Sequence, residues 1–257
     1  MKFNNTRRNI MTVMLFFLLS IAVILGGCTG ERVKDSNDSN ALNTTTPSIL
    51  WLNGTHAIST ISSGCDIYVF GGGIERNTLN EIATIESVVS NKKDLDELID
   101  KLINGFHTSR MLKEMKEYGI DKMNEEEFEE AMEVVEDRLE VLYFENMYDA
   151  YQEFGENAIY AWDLSRAVQL CELGYIAGFY SYDEATSKSR DIGNIIQDTF
   201  DSWDEFYTSY LYGFAYYYQE DTEDPNSIYA KLVTILTELK LDPKSPLNMD
   251  WNLYLFE

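Results

Sequence analysis

Basic residues are scarce in this chain, which has 20 Lys and Arg against 44 Asp and Glu and a formal charge of −24. Duplex nucleic acid and anionic lipid surfaces would be repelled by such a charge. We therefore expect no nucleic-acid partner. Two interpretations of the acidity stay open: a surface that attracts a basic partner, and a surface that is simply well hydrated.

Histidine and cysteine are also few, with two His and three Cys in 257 residues. No Cys-x-x-Cys pair, His cluster or His-Glu-x-x-His pattern occurs, so the strong zinc signatures are absent. The glycines at 71–73 lack the Lys-Ser/Thr of a P-loop and the spacing of a dinucleotide fingerprint. The sequence predicts neither a metal site nor a cofactor.

A long apolar run occurs at the N-terminus, where a basic start is followed by apolar residues 10–24 and then by Leu-Gly-Gly-Cys at 25–28. The run is shorter than the ~20 residues of a membrane-spanning helix and is typical of a secretory signal peptide. Residues 25–28 resemble the lipobox of bacterial lipoproteins. That resemblance implies cleavage before Cys28 and attachment of diacylglycerol, with palmitate-type acyl chains, to its sulfur.

Three segments follow from this interpretation. Residues 1–27 are a removed signal peptide, residues 28–48 a lipidated cysteine with a polar, flexible tether of about 25 Å reach, and residues 49–257 a globular domain. Removing residues 1–27 takes away three basic residues and no acid, leaving 17 against 44, or −27. The domain would then be exported and anchored through lipid at the extracytoplasmic face of a bacterial membrane. The alternative is an uncleaved membrane anchor.

The globular domain shows helical periodicity almost throughout and predicts a single all-α domain of about seven to nine helices. A polar residue followed three positions later by an acid marks several helix starts. The starts found in this way are Thr78, Asn91, Asn124, Ser181 and Ser202. Apolar spacing adds helices near 157–173 and 227–239. Residues 66–70 are a candidate β segment, for which no second strand is evident.

Two further expectations concern particular residues. The helix that begins after Asn124 is expected to continue through Leu139 to Tyr143, because apolar residues recur at helical spacing along it. Cys65 and Cys171 remain once Cys28 is assigned to lipid. They either form a disulfide, as export allows, or Cys171 is a lone thiol on an apolar helix face.

Residues 161–166, Ala-Trp-Asp-Leu-Ser-Arg, begin a pattern that continues with Gly-Tyr at 174–175, Tyr-Asp-Glu-Ala at 182–185 and Ser-Trp-Asp-Glu-Phe at 202–206. This pattern resembles a bacterial family catalogued as domain of unknown function 1266. The similarity covers most of residues 49–251. It implies an all-helical domain in proteins without an assigned reaction. Family members tend to have Gly-His where this chain has Gly-Phe-His at 105–107.

The same motif contains the residues most suited to a polar site. The candidate cluster comprises Trp162, Asp163, Arg166, Trp203, Ser209 and Tyr210. Asp163 and Arg166 are three residues apart on a predicted helix, so their side chains share a face and can form a charge pair.

Two roles are open for this cluster. In a structural role, the pair is buried and Ser209 and Tyr210 supply the remaining hydrogen bonds. In a functional role, Arg166 is an anion-binding fork in a cleft walled by Trp162, Trp203 and Tyr210. The first role is favoured, because no reaction centre is recognisable around the motif.

Three functions are consistent with these features. We expect a membrane-tethered, non-catalytic recognition module at the cell envelope, with a protein or small molecule as its ligand. One alternative is an envelope immunity or protective protein that binds a basic partner. The other is a hydrolase with a site near Asp163, Arg166 and His107, in which His107 would be a general base and would need a carboxylate partner.

Overall fold

The computed structural model describes residues 45–74 and 89–256, which form ten α-helices and four short 3-10 turns. The α-helices are α1 Pro47–Gly54, α2 Ala57–Ser62, α3 Lys92–Ile103, α4 Phe106–Tyr118, α5 Glu125–Met132, α6 Arg138–Phe154, α7 Tyr160–Ile176, α8 Tyr182–Thr199, α9 Trp203–Tyr218 and α10 Ile228–Leu241. No strand occurs in these two ranges, and the all-α prediction is confirmed. One of the predicted helices, the one starting at Thr78, lies outside the described residues.

Side-chain caps begin most of the helices where the sequence predicted them. Asn91, Asn124, Ser181 and Ser202 each accept a hydrogen bond from the backbone N–H three residues later. Each cap satisfies one of the four N–H groups that the first turn of a helix leaves without an internal partner. α1 begins at Pro47 with Thr46 as its cap, two residues before the domain boundary expected from composition.

The helix expected to run from Asn124 to Tyr143 is broken, so that prediction was wrong. α5 ends at Met132, and Asp137 starts α6 by accepting a hydrogen bond from the Leu139 N–H at 3.0 Å. Leu139 is consequently 46% exposed rather than part of the buried stripe. A local carboxylate cap has overridden the apolar spacing.

The candidate β segment at 66–70 was also wrong. Residues 66–69 form a turn that leads into a 3-10 turn at Phe70–Gly73, and Asp66 donates its N–H to the carbonyl of Gly72 at 3.0 Å. Gly71 and Gly72 have φ values of 72° and 69°, a left-handed conformation that glycine adopts without steric cost. Glycine therefore reverses the chain here.

α7 is the central helix of the domain. Thirteen of its 17 residues are buried, because α3, α8 and α9 pack around it. Most of the buried apolar side chains belong to one core around α7, and a second cluster lies between α4, α5 and α6. No helix in the described ranges is long and apolar enough to cross a membrane.

The crossing of α7 and α9 depends on Gly213. A Cβ atom added at Gly213 would lie 2.3 Å from the Cβ of Trp162, which is well inside van der Waals contact. Close approach of the two backbones is thus possible only without a side chain at this position.

We predict that Gly213→Ala lowers the free energy of unfolding by about 2 kcal/mol, because overpacking outweighs the ~1 kcal/mol that Ala gains in helix propensity. Urea unfolding of the purified protein measures the change. Ser187→Ala, on the exposed face of α8, is the control and should leave stability unchanged or slightly raised. A Gly213→Ala protein as stable as the wild type would contradict the close crossing.

Candidate functional site

Asp163 supplies the carboxylate of the candidate cluster and is fully buried, with 0% exposure. Its Oδ1 accepts from Nδ1 of His107 at 2.6 Å, and both oxygens lie within 3.2 Å of the His107 backbone N. Its Oδ2 also accepts from the backbone N–H and the hydroxyl of Thr108, at 3.0 and 2.9 Å. The carboxylate is therefore surrounded by donors from the first turn of α4.

The chain needs this arrangement because α4 begins without a cap of its own. The residue before the helix is Gly105, which has a left-handed conformation and no side chain to accept the first N–H groups. Asp163, in the first turn of α7, reaches across and takes that role. An anion at this position also complements the positive end of the helix dipole.

His107 lies in the first turn of α4 and is 7% exposed. One ring nitrogen is held by Asp163, and the ring packs edge-on against Tyr217 with centroids 5.0 Å apart. The structure thus places next to His107 the carboxylate that a general base would need. The same carboxylate is shared with three other donors.

Arg166 lies over aromatic rings. Its guanidinium carbon is 5.3 Å from the ring centroid of Trp162 and 5.5 Å from that of Tyr217. Such cation–π contacts stabilise a partly buried arginine. Burial raises the pKa of Tyr218 to about 12, and the nearby positive charge of Arg166 partly opposes that shift.

The predicted cluster is brought together only in part. Trp162, Asp163, Arg166 and Tyr210 are neighbours, with the rings of Trp162 and Tyr210 5.2 Å apart. The carboxylate of Asp163 is directed to α4, whereas the guanidinium of Arg166 contacts aromatic faces. Ser209 accepts a hydrogen bond from the backbone N–H of Ala161 at 3.2 Å, which joins α9 to α7.

Trp203 lies elsewhere, in a cluster of three tryptophans. Its ring centroid is 5.0 Å from that of Trp51 and 4.9 Å from that of Trp251. Its indole N–H donates to the carbonyl of Met249 at 3.3 Å. Trp203 therefore helps to fasten the C-terminal segment to α1 and α9 and does not form a wall beside Arg166.

Sequence reasoning missed a second buried pair of histidine and carboxylate. Glu172, 2% exposed, accepts from Nε2 of His56 at 3.0 Å and from the backbone N–H of Gly71 at 2.9 Å. The other ring nitrogen of His56 is 2.8 Å from the hydroxyl of Thr60. One feature of the sequence could have indicated that Glu172 is buried: it follows two apolar residues on a helix that is apolar on most sides.

The two buried carboxylates lie on opposite faces of α7. Asp163 and Glu172 are nine residues apart, which at ~100° per residue corresponds to about half a turn. Asp163 holds the start of α4, and Glu172 holds the loop before α2 and the turn at Gly71. Both histidines of the chain are thus partners of the central helix.

Two of the three cysteines, Cys65 and Cys171, lie among the described residues. Cys171 is a free, buried thiol whose pKa is raised to about 12 by burial. Because Cys171 is free, Cys65 and Cys171 do not pair with each other. Cys28 lies outside the described residues. Within those residues no group of three or more His, Cys, Asp or Glu side chains is placed to hold a metal ion.

An open surface groove of about 500 Å³ lies between the turn at 64–68 and the last turns of α10. It is distant in the chain from the Asp163 cluster and shares no lining residue with it. Its lining combines apolar Ile61, Ile235 and Leu239 with acidic Asp66, Glu238 and Asp242.

Helices packed around a largely buried central helix define this chain as an all-α domain. The model of the family "Protein of unknown function (DUF1266)" matches residues 88–251, more than half of the chain. The chain therefore belongs to this family. No curated protein and no solved structure matches it.

We predict that Asp163→Asn lowers the free energy of unfolding by about 3 kcal/mol, because the amide places donors against the donors of α4 and removes the buried charge. Urea unfolding, followed by circular dichroism, measures the loss. Asp191→Asn, which removes an exposed carboxylate from α8, should change stability by less than ~0.5 kcal/mol. Equal effects of the two substitutions would show that Asp163 does not hold α4.

Proposed function

We propose that this protein is a membrane-tethered lipoprotein whose helical domain is a non-catalytic recognition module. The observation that carries the proposal is the state of the residues that catalysis would need. Asp163 and Glu172 accept hydrogen bonds from helix starts and turns within the core. Carboxylates engaged in this way belong to the scaffold, and a ligand would bind at the surface.

The tether in this proposal rests on the N-terminal sequence. Residues 25–28 have the lipobox pattern, and the polar residues after Cys28 suit a spacer between lipid and domain. The first helix follows at Pro47. Two or more acyl chains on Cys28 would anchor the domain stably, since each buried CH₂ contributes about 0.8 kcal/mol.

A hydrolase is the second candidate, and one observation favours it: His107 has a carboxylate 2.6 Å from a ring nitrogen, as a general base requires. Two features weigh against it. That carboxylate also binds two backbone N–H groups and a hydroxyl. Neither His107 nor Asp163 lines the groove beside α10 or a second open groove beside α5.

We predict that the mature chain begins at a diacylglyceryl-modified Cys28. Metabolic labelling with palmitate and mass spectrometry of the N-terminal peptide test this in bacteria that express the whole chain. Cys28→Ala should abolish the label, whereas Cys171→Ala, which changes a buried thiol, should keep it. An unlabelled chain, or a Cys28 recovered in a disulfide with Cys65, would contradict the proposal.

A further inference from the structure

We infer that the groove between residues 64–68 and α10 binds a basic segment of another protein, with an aliphatic side chain of that segment in the apolar part of the groove. The inference rests on the proposed function, because it names the partner chemistry of the recognition module. It is carried by the shape of the groove, by its uncompensated charge and by its position in the chain.

The acidic side of the groove is not neutralised by the domain itself. Asp66, Glu238 and Asp242 are all exposed, and none of the three forms an ion pair with a basic residue in the described ranges. The lysine nearest to them in sequence on α10 is Lys240, whose ammonium instead lies 2.7 Å from Asp204. Three carboxylates in one concavity concentrate the negative potential there.

Local hydrogen bonds hold two of these exposed carboxylates in place. Asp66 accepts from the Tyr68 N–H through one oxygen, at 2.9 Å, and Asp242 accepts from the Lys244 N–H through one of its own, also at 2.9 Å. The Tyr68 hydroxyl donates to the second oxygen of Asp242 at 3.4 Å. Lysine and arginine side chains are the donors that match such a rim.

The apolar side of the groove explains why charge is not the only requirement. Ile61 and Ile235 are half-buried, and Tyr68 beside them is 39% exposed. An aliphatic side chain placed between them would remove this surface from water. A purely hydrophilic polycation would leave it exposed and bind less tightly.

The net negative charge of the chain excludes three other occupants of the groove. A second copy of the mature chain would carry the same net charge of −27 and would be repelled, as would nucleic acid or an anionic lipid surface. The groove also lies where the chain enters the domain, since the hydroxyl of Thr45 donates to the carbonyl of Tyr68 at 2.7 Å. A tether that ends here would hold the groove close to the membrane, because the tether is short. The groove would then lie near other anchored proteins.

Binding of defined peptides to the mature full-length chain in neutral detergent tests the inference. The probe is a fluorescent peptide in which Lys alternates with Leu. Peptides with Lys–Gly and Glu–Leu alternation are its comparisons, and anisotropy gives the Kd of each. We expect the Lys–Leu peptide to bind best, the Lys–Gly peptide more weakly and the Glu–Leu peptide not at all, with affinity falling as salt rises.

Two triple variants with the same change in net charge separate the groove from general electrostatics. The groove variant combines Asp66→Asn, Glu238→Gln and Asp242→Asn. The control combines Glu126→Gln and Glu129→Gln on α5 with Glu133→Gln at the residue that follows it, all at exposed positions. The groove variant should weaken Lys–Leu binding about tenfold or more and the control about twofold at most. Ile235→Ser should remove the preference for Lys–Leu over Lys–Gly.

Each other outcome overturns the inference. Equal weakening by both triple variants would mean that the peptide responds to net charge alone. No binding by the wild-type chain would exclude a basic partner at this groove. Neither result affects the palmitate label on Cys28, so loss of the groove inference is distinguishable from loss of the tethered module.

Discussion

The contact on which the arrangement of this domain depends is the one between the Asp163 carboxylate and the first turn of α4. α4 carries Met111 and Met115 into the second core cluster, while α7, which carries Asp163, forms the centre of the first. Breaking a buried, hydrogen-bonded charge contact costs about 3–5 kcal/mol, a large part of the 5–15 kcal/mol that stabilises a typical domain. The carboxylate therefore couples the two cores and orients one helix against the other.

Glu172 repeats this design on the other face of α7, where it binds His56 and the turn at Gly71. A central helix with two buried acids thus organises parts of the chain that lack caps, and both histidines are used in doing so. This use of the polar core gives Asp163 and Glu172 a structural role in the domain. In the proposed recognition module, the ligand would bind a surface such as the groove beside α10.

Contacts between residues close in the chain were predictable from the sequence, and contacts between residues far apart in the chain were not. Asn124 and Ser202 cap their helices as expected, because a cap involves residues only three positions apart. The partners of Asp163 lie 55 and 56 residues away, and no local pattern encodes that distance. The i, i+3 spacing suggested Arg166 as the partner, but the uncapped start of α4 supplies more donors. Trp203 was expected beside Arg166, but it contacts Trp51 and Trp251. Those contacts depend on tertiary packing, which no local pattern encodes.

Native-state hydrogen exchange at the backbone amides of His107 and Thr108 tests the central claim most directly. Amides in the first turn of a helix ordinarily exchange fast, because they have no partner within the helix. Here both donate to Asp163, so we predict that they exchange only on global unfolding, at the rate of the core amides of α7. Fast exchange of these two amides, alongside protected amides later in α4, would contradict the claim that Asp163 holds the start of this helix.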